Sequence, residues 1–472
     1  MGDSLPASFT IGSSAENLFQ IDHHLVAEKH VLIMKLDDGS FLVRDISQTS
    51  ILLVNRQTVS VARVDKTRKL CLGSEKVSFC IKDIEKALEQ GRKDLTSNFS
   101  KKNVHYYKLE PSRRYSLGAN PQCDIQLNSP TLDWLAGSIS FDKSWQISMN
   151  DRPSKTLSEK TIRIDRYDFS LDASNNELEV CVAENDVLQT KALSVKTESG
   201  RSILHDINLK LHSGSFVGII GPSGAGKSTL MKVLCGLKEP SEGKLHLNGR
   251  SLLKNQTLSR KLKYVPQFDV VQDYLTVLEN IEYASKLRLP ISWPNEALTK
   301  RALEIVQMVG LTHVVNHRAN VISGGQRQRV NLAMEMVLEP KFLFADECCS
   351  GLSAGDTSKI MQVFRTLADN GTGVVLTIHT PDIESLAMMD YLLVLDTGGY
   401  MAYYGPSQPD AIEYFTEKRI SPHHSPKVIF DILEMTDEND ISKRLIEPQQ
   451  WYERFKSSEY YQRYVEKTHS NQ

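Results

Sequence analysis

Long apolar runs are missing from this 472-residue chain. A bilayer crossing needs roughly twenty consecutive apolar residues, and "SFVGIIG" has only the length of a buried strand. The chain is therefore not expected to span a membrane by itself. A charge excess is missing too: 56 Lys and Arg stand against 58 Asp and Glu, a formal net charge of −2. Phosphate-backbone binding usually leaves a visible surplus of Lys and Arg, so no nucleic-acid partner is expected. The opening "MGDSLPASFT" lacks the charged and apolar regions of a secretory signal, which makes the cytoplasm the expected compartment. The seven cysteines (Cys71, Cys80, Cys123, Cys181, Cys235, Cys348 and Cys349) are odd in number and show no C-x-x-C spacing. Neither a disulfide framework nor a zinc site is expected from them.

What is present calls for several domains, because a chain of this length exceeds a single hydrophobic core. Its centre, "GSFVGIIGPSGAGKSTLMKVLCGL", reads as strand, glycine loop and helix. Phe216 to Ile220 is an apolar, β-branched run suited to a strand buried in a parallel sheet. Then comes G-x-x-x-x-G-K-[ST], spelled Gly221-Pro222-Ser223-Gly224-Ala225-Gly226-Lys227-Ser228 and followed by Thr229. Glycines let backbone N–H groups converge on phosphate oxygens, and the helix N-terminus adds partial positive charge. Lys227 would reach the β- and γ-phosphates of ATP, and the Ser228 hydroxyl would ligate Mg²⁺. Further on, "KFLFADE" is an apolar strand that delivers Asp346 and Glu347 at its C-terminal end, where open α/β sheets place their chemistry. Asp346 suits water-mediated contact with Mg²⁺, and Glu347 suits the general base for an attacking water.

The stretch "VISGGQRQRVNLAMEMVLEPKFLFADE" resembles the signature and Walker B block of ATP-binding cassette (ABC) ATPases, with Ile322-Ser323-Gly324-Gly325-Gln326 standing for L-S-G-G-Q. In the same family order, Gln267 in "YVPQFD" resembles the Q-loop glutamine and His379 in "VVLTIHTP" the switch histidine. The resemblance covers about Leu193 to Tyr404. It implies catalytic roles for Glu347, His379 and Gln267, with Ser228, Gln267 and Asp346 toward Mg²⁺. It also implies that two cassettes meet head to tail, Ser323 to Gln326 of one contacting ATP on the phosphate loop of the other. A second cassette, a homodimer mate above all, is thus an expected partner. The sequence departs from the family in two places. "LSVKTESGRSILHD" holds no aromatic residue to stack on adenine, and "DECCSGLS" puts Cys348, Cys349 and Ser353 where the family has Pro, Thr and Asp. The cysteine pair reads as packing.

The tail "YYGPSQPDAIEYF" and "SPKVIFDILE" resembles the White or G subfamily, whose cassettes precede a membrane domain. In "WYERFKSSEYYQRYVEK", Tyr452, Phe455, Tyr461 and Tyr464 fall at helical spacing, like a linker to a first membrane helix. The implied partner is a transmembrane domain. The cassette would then sit peripherally at the inner face of a membrane.

The first third shows two alternating-strand blocks, "FTIGSSAENLFQIDHHL" and "YSLGANPQCDIQLNSPTL", whose Gly12 and Gly118 lie 106 residues apart (118 − 12). The first resembles a forkhead-associated (FHA) domain, a phosphothreonine-binding sandwich. Ser13, Ala27 and Ser50 occupy positions where that family uses Arg, Ser and Asn, while Gly12 and His30 serve the scaffold. Charge-assisted hydrogen bonds contribute roughly 1.5–3 kcal/mol each, so losing two should weaken phosphopeptide binding about a hundredfold or more. An interaction or regulatory module toward a protein partner is expected.

The expected fold class is multidomain. Two all-β FHA-like sandwiches (1–92 and 101–186) precede an α/β P-loop NTPase domain (187–405, helical subdomain about 275–335) and a C-terminal helical extension (406–472). The expected function is an ATP-hydrolysing subunit of an ABC transporter, with export as the expected direction; the alternatives are a soluble ABC-type ATPase in regulation or assembly, or a weakly hydrolysing scaffold.

Overall fold

A computed structural model describes residues 8–85 with breaks at 14–16, 22–29, 37–39, 48–51, 55–56, 60, 67, 69, 73–77 and 83, and residues 104–466 with breaks at 128, 151, 159–160, 173–175, 183–185, 253–260, 268, 380, 418–424 and 438–439. It divides into two units, 1–102 and 103–472.

In the first unit, Phe19–Gln20, Ser8–Gly12, Val31–Lys35, Phe41–Asp45 and Val61–Val64 form one sheet, in that spatial order. Gln57–Thr58, Leu52–Val54, Leu70–Leu72 and Ser78–Phe79 form another. Alternate residues such as Val31, Ile33, Phe41 and Val43 turn inward and meet Leu52 and Leu70 in one core, as the period-two pattern requires. His30 is fully buried, and its carbonyl accepts from Ile46 N at 3.0 Å and Ser47 N at 3.1 Å. Ser13 accepts at its carbonyl from Gln20 Nε2 at 3.0 Å; Ala27 and Ser50 lie outside the described residues.

The second sandwich repeats this plan within the larger unit. Its sheets run Ile125–Gln126, Tyr115–Gly118, Gly137–Asp142, Ser144–Met149, Arg152–Thr156 and Val104–Lys108, Glu177–Val182, Tyr167–Asp172, Ile162–Ile164. Ile11 pairs with Phe19 in parallel and Phe9 with Ile33 antiparallel in the first copy; Leu117 pairs with Ile125 and Tyr115 with Ile139 in the second. Each position is shifted by the same 106 residues (117 − 11, 139 − 33), so the repeat read from the glycines extends to strand register.

Two sheets build the cassette. Ser202–His212, Val187–Lys196, Glu242–Leu247 and Arg250–Ser251 are antiparallel. The second sheet is ordered Leu262–Val265, Phe342–Ala345, Gly373–Thr377, Phe216–Ile220, Tyr391–Asp396, Tyr400–Pro406, parallel except for the last strand. Its central strands are buried along their whole length, which is why they read as continuous apolar runs. This order brings the C-terminal ends of Phe216–Ile220, Phe342–Ala345 and Gly373–Thr377 side by side, and the site forms there.

Val277–Arg288, Asn295–Met308 and Gly324–Met336 make the helical subdomain. The second sandwich docks on it. Trp293 Nε1 donates to Leu132 O at 2.9 Å, Ser292 Oγ donates to Asp133 Oδ1 at 2.8 Å, and the Trp134 and Trp293 rings lie 5.2 Å apart. Glu339 bridges Arg166 of the sandwich and Arg301 of the subdomain.

The tail is helical, as expected, through Asp410–Thr416, Lys427–Leu433 and Pro448–Lys456, but it also carries a two-stranded hairpin, Thr436–Asp437 with Asp440–Arg444. Its aromatics turn back onto the cassette: Trp451, Tyr452, Phe455 and Tyr461 are buried, and Tyr452 Oη donates to Asp206. No helix among the described residues is long and apolar enough to cross a membrane. Within this packing Asp410 is 2% exposed, and burial pushes its carboxyl from 3.8 up to about 6. Between those values the folded chain keeps a proton that the unfolded chain has released. Stability therefore falls as pH rises through that window and is level above it. Asp410→Asn keeps an acceptor for Tyr460 Oη, 3.2 Å away, without the charge. At neutral pH it is expected to be about 1–3 kcal/mol more stable than wild type, at about 1.4 kcal/mol per pKa unit. Denaturant midpoints on either side of the window check this.

Candidate active site

The phosphate loop is shaped by close backbone approach. Gly226 has φ +90°, and a Cβ there would lie 2.7 Å from Ile203 O. At Gly221 a Cβ would lie 2.0 Å from Leu395 O. Both positions exclude larger residues. The helix Lys227–Leu234 begins directly at the loop and turns its positive end toward it. Lys227 is 5% exposed, and its Nζ donates to Gly221 O at 2.8 Å and Pro222 O at 3.0 Å. Burial lowers the Lys227 pKa, against the opposing pull of Glu347 and Asp346.

Asp346, delivered by Phe342–Ala345, is the hub. Its Oδ1 accepts from Ser228 Oγ at 3.1 Å and Thr377 Oγ1 at 2.8 Å, and its Oδ2 accepts from Tyr264 Oη at 2.8 Å. Thr377 Oγ1 in turn accepts from Glu347 N at 2.8 Å, fixing the backbone where the chain leaves the strand. The Tyr264 hydroxyl is driven well above its usual range by burial and then by the Asp346 carboxylate, so it remains a donor. The oxygen pair Ser228 Oγ and Asp346 Oδ1 fits Mg²⁺, a hard cation that binds through few protein oxygens and fills its octahedron with phosphates and water.

Glu347 sits at φ +49°, a left-handed conformation that costs a non-glycine residue energy and concentrates at functional sites. Its Oε1 lies 2.7 Å from His379 Nε2, and its Oε2 accepts from Gln267 Nε2 at 2.9 Å. The three expected catalytic residues thus meet around one carboxylate. Beside them Glu347, Cys349, Thr377, His379, Asp382 and Ser385 line a cavity of about 300 Å³. Cys348 is buried behind it with its Sγ 4.0 Å from Cys349 Sγ; the thiol contact with Cys349 and then burial raise its pKa.

The signature residues stand outside that network. Ser323 Oγ accepts from Gln326 N at 3.2 Å and Gln326 Oε1 accepts from Ser323 N at 2.9 Å, a capping box that starts the helix Gly324–Met336. Ser323 and Gly324 are exposed, and Gly325 packs so closely on Asp356 that a Cβ would lie 2.4 Å from its Cγ. Ser353, which replaces the family's Asp, is the N-cap of Ala354–Asp369 and donates to Asp356 Oδ2 at 3.0 Å. Residues 197–201, where the strand pair turns near the loop, are exposed or half-buried and hold no aromatic side chain.

Sequence reasoning missed Tyr264 and Thr377. Their signal was position: Tyr264 is the last residue but one of its strand, three residues before Gln267, and Thr377 ends its strand two before His379.

A family model described as "ABC transporter" matches residues 204–350, and one described as "FHA domain" matches residues 9–73. "ABC transporter G family member 2" of Dictyostelium discoideum is 35% identical over 247 residues, 50% of this chain and 18% of that protein. "Broad substrate specificity ATP-binding cassette transporter ABCG2" of Mus musculus is 31% identical over 286 residues, 56% of this chain and 42% of that protein. The chain spans less than half the length of either. A solved dimeric bacterial ABC transporter cassette, MJ0796, is 29% identical and covers 47% of this chain and 99% of its own, with a TM-score of 0.42. The chain thus contains a segment that matches the ABC transporter family model and is similar to the cassettes of G-family transporters, with a segment that matches the FHA domain model on its N-terminal side.

Proposed function

We propose that this chain binds Mg²⁺ and ATP, closes with a second cassette, most simply another copy, and hydrolyses the nucleotide to power transport by a transmembrane partner. The direction of transport is export, and the chain works at the inner face of the membrane. The FHA-like sandwiches act as regulatory or protein-interaction modules.

The observation that carries this reading is the convergence of Gln267 and His379 on Glu347, next to an Asp346 that already holds Ser228. It supports an in-line attack by water: Glu347 takes the proton, His379 steadies the carboxylate, and Lys227 faces the phosphates, whose charge a Mg²⁺ held by Ser228 and Asp346 would help neutralise. Because Ser323 is an exposed helix cap whose hydroxyl accepts from Gln326 N and still has its own proton to give, that hydroxyl, at the positive end of the helix Gly324–Met336, can donate to a triphosphate on another cassette. On the helical subdomain, Tyr283 and Leu287 are exposed one turn apart, with Ile291 beyond them. Such an apolar strip supports a docking face for the membrane partner.

The test is solution mass by light scattering with Mg²⁺ and a slowly hydrolysed ATP analogue. Wild type is expected to double its mass with nucleotide, and Ser323→Arg is expected to remain single. A wild type that stays monomeric, or a Ser323→Arg that dimerises equally well, overturns the paired site.

A further inference from the structure

We propose that Arg327 is a positioning residue for hydrolysis: it fastens the segment following Gln267 to the first turn of the helix that Ser323 caps. The base side of the site and the signature then move as one body. This rests on the ATPase reading above.

All three guanidinium nitrogens are engaged. Nε donates to Asp269 Oδ2 at 2.7 Å, Nη1 to Asp273 Oδ1 at 2.6 Å and Ala319 O at 3.3 Å, and Nη2 to Val271 O at 2.9 Å. One turn along the same helix, the fully buried Asn331 accepts from Val270 N at 3.4 Å. Residues 269–273 are thus held from Arg327 and Asn331 together. Asp269 lies two residues after Gln267, and Gln267 Nε2 donates to Glu347. With about 3.8 Å between successive Cα atoms, little slack separates the two, so a shift of the signature helix reaches the catalytic carboxylate.

Helix stability does not account for this arginine. A cation in the first turn opposes the positive end of the helix dipole, and that turn contains no acidic residue of its own. The compensating carboxylates come from the Gln267 side. Arg327 and Asp269 are about a quarter exposed and Asp273 about half, a setting in which ion pairs add little to folding. Arginine is required because a fork can hold two carboxylates and two carbonyls at fixed angles, whereas lysine is a single mobile charge.

The experiment is steady-state Mg·ATP hydrolysis by the full chain. Arg327→Ala is expected to lower kcat roughly tenfold to hundredfold, the scale of small misplacements at a reacting centre. KM should stay close to wild type, because the phosphate loop is untouched, and the melting temperature should hold. Arg327→Lys should recover part of the loss, and Asp269→Asn combined with Asp273→Asn should reproduce it. Wild-type kcat in Arg327→Ala overturns the proposal. So does a loss of kcat that tracks a fall in melting temperature and is not relieved by lysine. Glu347→Gln, run alongside, separates the two levels of inference. If it hydrolyses ATP as fast as wild type, the ATPase reading fails; if it is inactive while Arg327→Ala is fully active, the positioning role alone fails.

Discussion

Glu347→Gln is expected to cut ATP turnover by roughly 10²–10⁴-fold, the contribution of a well-placed general base, while nucleotide binding survives. The amide keeps the shape of the carboxylate and can still accept from Gln267 Nε2, now 2.9 Å from Glu347 Oε2. It cannot take a proton from water. The left-handed backbone at this position, φ +49°, is pinned by the bond from Glu347 N to Thr377 Oγ1, so the substitution should leave the strand end in place. Phosphate release measured on both proteins decides the matter. Equal rates would mean that the site holds nucleotide without hydrolysing it.

Lys227→Ala should have the largest effect on binding. Nζ is the cation at the centre of the loop and is desolvated there, and its present partners are two backbone carbonyls, Gly221 O and Pro222 O. A triphosphate would exchange those neutral acceptors for charged ones. Charge-assisted hydrogen bonds are worth about 1.5–3 kcal/mol each; removing one corresponds to a loss of affinity of roughly tenfold to 150-fold. Truncation also strips the two carbonyls of their donor, so the loop should loosen as well. Titration with a fluorescent ATP analogue reads the outcome. Affinity within about twofold of wild type would show that the loop grips something other than phosphate by this lysine.

The two substitutions separate capture from chemistry, and the geometry explains why they should. Lys227 belongs to the loop after Phe216–Ile220, while Glu347 belongs to the end of Phe342–Ala345, with Gly373–Thr377 between them in the sheet. Asp346 joins the two sides by accepting from Ser228 and Thr377.

Reading the chain before its structure went furthest where chemistry is written in adjacent residues. The loop Gly221–Thr229 was legible because each requirement, glycine for close approach, lysine for charge and serine for the metal, falls on a neighbouring position. The same holds for the 106-residue repeat: alternation and a glycine set the register of a strand, and Leu117 with Ile125 repeats Ile11 with Phe19. Tyr264 and Thr377 went unread because nothing near either in the chain indicates Asp346, 82 and 31 residues away. The docking of the second sandwich was equally silent. It joins Leu132 to Trp293 across 161 residues, and nothing near either in the chain indicates the other.

Sequence by itself determined which groups could meet a phosphate, which strands would be buried and that one plan is used twice in the first third. A loop, an apolar run and a repeat are local, and their physics is complete within a few residues. Tertiary structure decided that Gln267, Glu347 and His379 share one carboxylate, that Ser323 faces outward as a helix cap, and that Arg327 binds the two sides together. Those outcomes depend on the order in which strands are laid into the sheet, and that order is set by the burial of the whole core.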